Sequence, residues 1–137
     1  MENTKKTFAQ IVREKYGDTR AQFARRIGAQ SRTVKSWEQG QPLQSHARAL
    51  LNVAWNNDVS LEIEVSPEFS QLTLKDKVLT LCKNFGDKKR SFAQRIGVNE
   101  LVIHGWTVKG KESTIGHRLL DLVASHPEWF VTVPKKF

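Results

Sequence analysis

Cysteine is almost missing from this chain, and the one present, Cys82, cannot form an internal disulfide. The fold must therefore be held by an apolar core, as is usual in a reducing compartment. Long apolar runs are also missing, so no segment is expected to span a bilayer. At the N-terminus, MENTKKTF lacks the apolar stretch that follows the charges in a secretory signal, and a cytoplasmic location is expected. No Ser/His/Asp set or carboxylate pair stands out, and no phosphate-cradling glycine loop lies between a strand and a helix. His46, His104, His117 and His126 do not combine with Cys82 at metal-ligand spacing. No metal, no cofactor and no enzymatic activity are expected.

Acidic residues are outnumbered, 14 against 22 basic ones, and the formal net charge is +8 over 137 residues. The excess is uneven. Residues 1–57 hold 10 Lys/Arg and 4 Asp/Glu, residues 58–73 hold 4 acidic and no basic residues, and residues 74–137 hold 12 and 6. Two basic modules thus flank an acidic linker. Basic modules of this kind suit a polyanion, usually nucleic acid.

Residues 16–37 and 85–106 are two copies of one pattern, offset by 69 positions. The first reads YGDTRAQFARRIGAQSRTVKSW and the second FGDKKRSFAQRIGVNELVIHGW. Eight of 22 positions are identical, including Asp18/Asp87, Phe23/Phe92, Ala24/Ala93, Arg26/Arg95, Ile27/Ile96, Gly28/Gly97 and Trp37/Trp106. With the offset raised to 70, Arg48/Arg118, Leu50/Leu120, Val53/Val123 and Ala54/Ala124 also align. An internal repeat outranks other signals because it dictates the architecture.

Helical periodicity and capping signals divide each copy into four helices. In the first copy, Thr4 or Thr7 starts a helix that ends at Gly17. Thr19 to Gln22 has the form of a capping box and opens a second helix through Ile27. Gly28 makes the turn, a third helix covers about Ser31 to Gln39, and a fourth covers Ser45 to Asn56. In the second copy the helices are Leu74 to Phe85, one capped by Asp87 and ending at Gly97, one capped by Asn99 and ending at Thr107, and Ile115 to Ser125. Ser60 to Val65 and Glu128 to Val133 have strand composition. Isolated strands need partners, so an antiparallel pairing of the two about a pseudo-twofold axis is expected, within one chain or exchanged between two. Trp37, Trp106 and Cys82 are expected in the core, and Trp55 and Trp129 at the seam between modules.

Two helices joined by a short glycine turn form a helix-turn-helix. Phe23, Ile27, Val34 and Trp37 hold the third helix down, with Ala24 at the close approach. Phe92, Ile96, Ile103 and Trp106 do the same in the second copy, with Ala93. The pattern F-A-x-R-I-G-x(5)-[VI]-x-x-W, present twice, is much more specific than one motif match. QFARRIGAQSRTVKSWEQGQ resembles the phage repressor and Cro-type helix-turn-helix family, and QPLQSHARALLNVA is similar to its antitoxin-like members. The resemblance covers about residues 7–56 and, more weakly, the second copy. It implies a mainly α fold of two tandem modules of four to five helices each. It also implies double-stranded DNA as partner and repression, usually as a twofold dimer. Here a homodimer and an intramolecular pseudo-dimer both remain open.

Carried over residue by residue, the resemblance puts Gln30, Ser31, Arg32, Lys35 and Ser36 against base edges. Arg32 is the leading candidate, because an Arg–guanine pair is the commonest specific contact. Thr19, Arg20 and Gln39 match phosphate-holding positions, and Lys88, Lys89 and Arg90 offer a phosphate clamp in the second copy. The second copy's reading positions are Asn99, Glu100 and Leu101, with His104 beside them. Glu100 would accept from a cytosine amino group or repel phosphate, and Leu101 could meet a thymine methyl or a protein partner. The function expected is a sequence-specific transcriptional regulator, a repressor, reading mainly with the third helix of the first module. Its rivals are an architectural or accessory DNA-binding protein of a phage, plasmid or mobile element, and an antitoxin-like protein whose second module binds a protein.

Overall fold

The computed structural model describes residues 5–61 and 65–130. The polypeptide starts its first helix at Thr7, whose hydroxyl accepts from Gln10 N at 3.3 Å. Helix α1 (Phe8–Tyr16) turns Ala9 and Val12 inward and ends where Gly17 takes the left-handed φ of 66°. Helix α2 (Arg20–Ile27) opens with the expected capping box: Thr19 Oγ1 accepts from Gln22 N, and Gln22 Oε1 accepts from Thr19 N. Gly28 (φ 71°) turns the chain into α3 (Ser31–Glu38), which is followed by α4 (Ser45–Asn56). A short helix, α5 (Pro67–Ser70), lies in the acidic linker, where none was expected; Ser66 caps it and Pro67 occupies its first position. Then follow α6 (Leu74–Phe85), α7 (Lys89–Ile96), α8 (Glu100–Thr107) and α9 (Thr114–Ser125).

Helices α1 to α4 and α6 to α9 reproduce each other's packing. In each set the first helix packs on the fourth and the second on the third. Phe23, Ile27, Val34 and Trp37 are buried in one set, and Phe92, Ile96, Ile103 and Trp106 in the other. All belong to one continuous core with a seam where α4 lies against α9. The seam is reciprocal. The Gly28 turn rests on Thr114 and Arg118 of α9, while the Gly97 turn faces Ala49 of α4. Asn99 N also donates to Ser45 Oγ at 3.0 Å, pinning the start of α8 to the start of α4.

One repeated constellation ties each set together. Asp18 holds Arg26 through two hydrogen bonds (2.8 and 3.1 Å), and Asp87 holds Arg95 likewise (2.6 and 3.1 Å). Each guanidinium stacks on the last aromatic ring of its first helix, Tyr16 at 4.1 Å and Phe85 at 4.4 Å. Each also donates to a carbonyl beyond its fourth helix, that of Val59 or Phe130. This corrects the cap expected at Asp87: its carboxylate is committed to Arg95, the cap position falls on Lys88, and Lys88 N donates to Ser91 Oγ. The hydrogen bonding to Asp87 holds Arg95's pKa above its ordinary value.

The strand expectation fails where it can be followed. Glu128 to Phe130 belong to a turn of 3₁₀ helix, Pro127–Phe130, while 131–133 lie outside the described residues. Pro127 fixes φ, the Trp129 and His126 rings stack at 3.9 Å, and Phe130 is buried with its carbonyl on Arg95. Of Ser60 to Val65, residues 62–64 lie outside the described residues, and Ser60, Leu61 and Val65 are not in a strand. Trp55 does not pack the seam either. It is 46% exposed, with Lys15 Nζ 6.0 Å from its ring. The Lys15 ammonium is held instead by the carbonyls of Ala54, Trp55 and Asn57, at the C-terminal end of α4 where the helix dipole favours a cation.

A departure from the repeat sits at the start of α6. Lys77 takes the place of Phe8 and is only 1% exposed. Its ammonium donates to Asp121 at 2.8 Å and lies 5.5 Å from the Phe69 ring of α5. A buried lysine needs this partner, since unpaired burial disfavours the charge by several kcal/mol.

Candidate nucleic-acid interface

Trp37 and Val34 bury one side of α3 and so determine what its other side presents. Gln30, Ser31, Arg32 and Lys35 are exposed and Ser36 is half-buried. Gln30 occupies the cap position without making a side-chain cap. Its amide oxygen accepts from Arg32 Nε at 2.7 Å, and the two terminal guanidinium nitrogens make no hydrogen bond among the described residues. No carboxylate pairs with Arg32 among the described residues.

The root of α3 is fixed from below. Glu38, with a side chain 3% exposed, accepts two hydrogen bonds from Arg13 (2.7 and 3.1 Å) and one from Arg20 (3.1 Å). The same hydrogen bonding keeps Arg13's pKa above its ordinary value. Of the expected phosphate contacts, Thr19 is engaged in its capping box, Arg20 leans on Glu38 and Gln39 is the residue that ends α3. Arg20 still has 42% of its side chain in solvent, so its fork is oriented rather than sequestered.

The corresponding side of α8 has different chemistry. Asn99 caps the helix, its side-chain oxygen accepting from Leu101 N at 2.8 Å. Glu100 lies 3.7 Å from Arg90, both largely in solvent. Leu101 is 73% exposed, and His104 is exposed one turn on. Lys88 and Lys89 stand exposed at the start of α7 and form no ion pair among the described residues.

A groove of about 490 Å³ beside α3 is lined by Arg32, Ser36, Gln41 and Gln44, among others. A second, of about 700 Å³, runs beside α8 past Asn99, Leu101, Gly105 and Lys111. Both are lined by Gln44 and Ile115. Helices α3 and α8 therefore flank a common ridge made by the N-terminal ends of α4 and α9. Neither this ridge nor the Gln30–Arg32 and Glu38 contacts were foreseen in the sequence. The first depends on the α4–α9 seam, and Glu38 meets Arg13 across 25 residues.

His46 lies under that ridge. It is 8% exposed, 3.4 Å from Ser113 Oγ through Nε2 and edge-on to the Trp106 ring at 5.6 Å. Its Nδ1 has no partner among the described residues. Burial lowers its pKa. The unfolded chain takes up this proton near the ordinary value of ~6.5 and the folded chain only at lower pH. Stability present above that value is consequently lost as the pH falls toward the folded-state pKa. His46→Gln is expected to flatten the decline in unfolding free energy as the pH falls below about 6.5. Parallel wild-type and variant curves from urea titrations would contradict this.

No helix of the described residues is long and apolar enough to cross a membrane, and no group of three or more His, Cys, Asp or Glu among them could hold a metal ion. Comparison with protein-family models, with curated proteins and with solved structures gives no significant match.

Proposed function

We propose that the chain is a sequence-specific double-stranded DNA-binding transcriptional regulator, a repressor acting in the cytoplasm, that reads bases mainly with α3. In this reading α2–α3 and α7–α8 are tandem helix-turn-helix units, and the α4–α9 seam makes the chain an internal pseudo-dimer. The observation that carries it is the polar, cationic side of α3: Arg32 exposed and hydrogen-bonded to Gln30, with Ser31 and Lys35 beside it, over the buried Val34 and Trp37. A net charge of +8 supplies sequence-independent attraction through counterion release. Direct hydrogen bonds to base edges supply the discrimination.

Two substitutions separate these contributions. Lys89→Ala should weaken binding to every duplex and reduce the slope of log affinity against log salt by about one. Arg32→Ala should relax preference at one position of the preferred site, by about 1–3 kcal/mol of discrimination. Anisotropy titrations on matched and singly altered duplexes read both quantities. If Arg32→Ala leaves base preference intact, α3 is not the reading helix.

A further inference from the structure

We propose that α8 is a second base-reading helix whose chemistry is opposite to that of α3: Leu101 packs on the C5-methyl of a thymine while Glu100 accepts from the amino group of a neighbouring cytosine. This rests on the reading of the chain as a duplex-binding protein and extends it to an asymmetric site.

Register is the first argument. At the offset of 69, Leu101 stands where Arg32 stands in α3. Ile103 and Trp106 anchor α8 from beneath just as Val34 and Trp37 anchor α3. The outward side that carries a guanidinium in one helix therefore carries an isobutyl group in the other. Leu101, at 73%, is the most exposed of the large apolar side chains among the described residues.

The surroundings select the occupant. Lys89, Glu100, Leu101 and His104 line one shallow depression of about 300 Å³. Lys88 and Arg90 adjoin it in sequence, so the apolar spot has a cationic rim that complements a polyanion. Among base edges in the major groove, only thymine offers a methyl group, and cytosine offers an amino donor suited to a carboxylate. A lone carboxylate near phosphates would be repelled, but Arg90 Nε stands 3.7 Å from Glu100 and offsets its charge. Seen this way, the acidic and apolar residues of α8 are reading groups of a pyrimidine-rich half-site.

The test uses the full chain and a site enriched from random duplexes. The half in which Arg32→Ala relaxes preference belongs to α3, and the other half to α8. Thymines of the α8 half are replaced singly by uracil, which removes only the methyl group. At one such position the wild type should lose about fourfold in affinity, the ordinary hydrophobic gain of a single methyl. Leu101→Ala, at a position too exposed to disturb folding, should bind the thymine and uracil duplexes equally. Two results would overturn the proposal: a wild type indifferent to every uracil in that half, or a Leu101→Ala variant as sensitive as the wild type. An enriched site containing only the Arg32-dependent half would also overturn it, leaving α8 to a protein partner while α3 keeps its role. Enrichment of no sequence at all would instead remove the DNA-binding reading itself.

Discussion

Arg26→Ala is expected to lower the unfolding free energy by about 3–5 kcal/mol, the usual loss when one partner of a buried ion pair is removed. Arg26 and Asp18 are 12% and 7% exposed at their side chains, so removing the guanidinium strands a carboxylate that solvent barely reaches. The same truncation strips the ring of Tyr16 of its stacked cation and the Val59 carbonyl of its donor. Arg26→Lys should recover only part of the loss, because an ammonium cannot span both carboxylate oxygens and the ring together. Urea unfolding monitored by far-ultraviolet circular dichroism measures these differences. A loss below about 1 kcal/mol, the range of exposed ion pairs, would mean that the constellation does not tie α1, α2 and the segment after α4 together.

Gly28→Ala is expected to destabilise by about 2–5 kcal/mol, from two sources. At φ 71° an L side chain carries about 1–2 kcal/mol of strain. The added Cβ would also lie 2.8 Å from Arg118 Cβ and 3.2 Å from Thr114 O, so α9 must move. Overpacking of this kind adds about 1–3 kcal/mol. The repeat supplies its own control. Gly97 has the same backbone (φ 79°), but its nearest neighbour is Ala49 Cβ at 3.9 Å, an ordinary contact. Gly97→Ala should therefore show the strain alone. Equal losses at the two glycines would refute the close packing of the Gly28 turn on α9.

Much of the helical layout is legible in the sequence because its signals are local. Thr19 and Gln22 form their capping box within four residues, and Gly17, Gly28, Gly86 and Gly97 all adopt positive φ at helix ends. Trp37, Trp106 and Cys82 are buried as their helical positions predict. What escapes is decided at long range. Asp87 has the composition of a cap, yet a guanidinium eight residues on competes for its carboxylate and prevails. Glu128 to Phe130 have the composition of a strand, but burial of Phe130 and the His126–Trp129 stack favour a 3₁₀ turn. Nothing local in the sequence marks Lys77 for burial, because its partner Asp121 lies 44 residues away. At the candidate interface the sequence supplies the residue types on α3 and α8. Folding adds the Gln30 contact to Arg32, and the ridge of α4 and α9 ends that α3 and α8 flank.

In the proposed function, one chain reads duplex DNA with two chemically unlike helices, led by α3. Enrichment of random-sequence duplexes by the wild-type chain and by Arg32→Ala tests it most directly. The wild type should enrich one sequence with two unequal halves, one of which contains a guanine. Arg32→Ala should enrich the same sequence with the preference at that guanine gone. A wild type that enriches no sequence, or an Arg32→Ala variant that enriches the identical one with the guanine intact, would contradict the account.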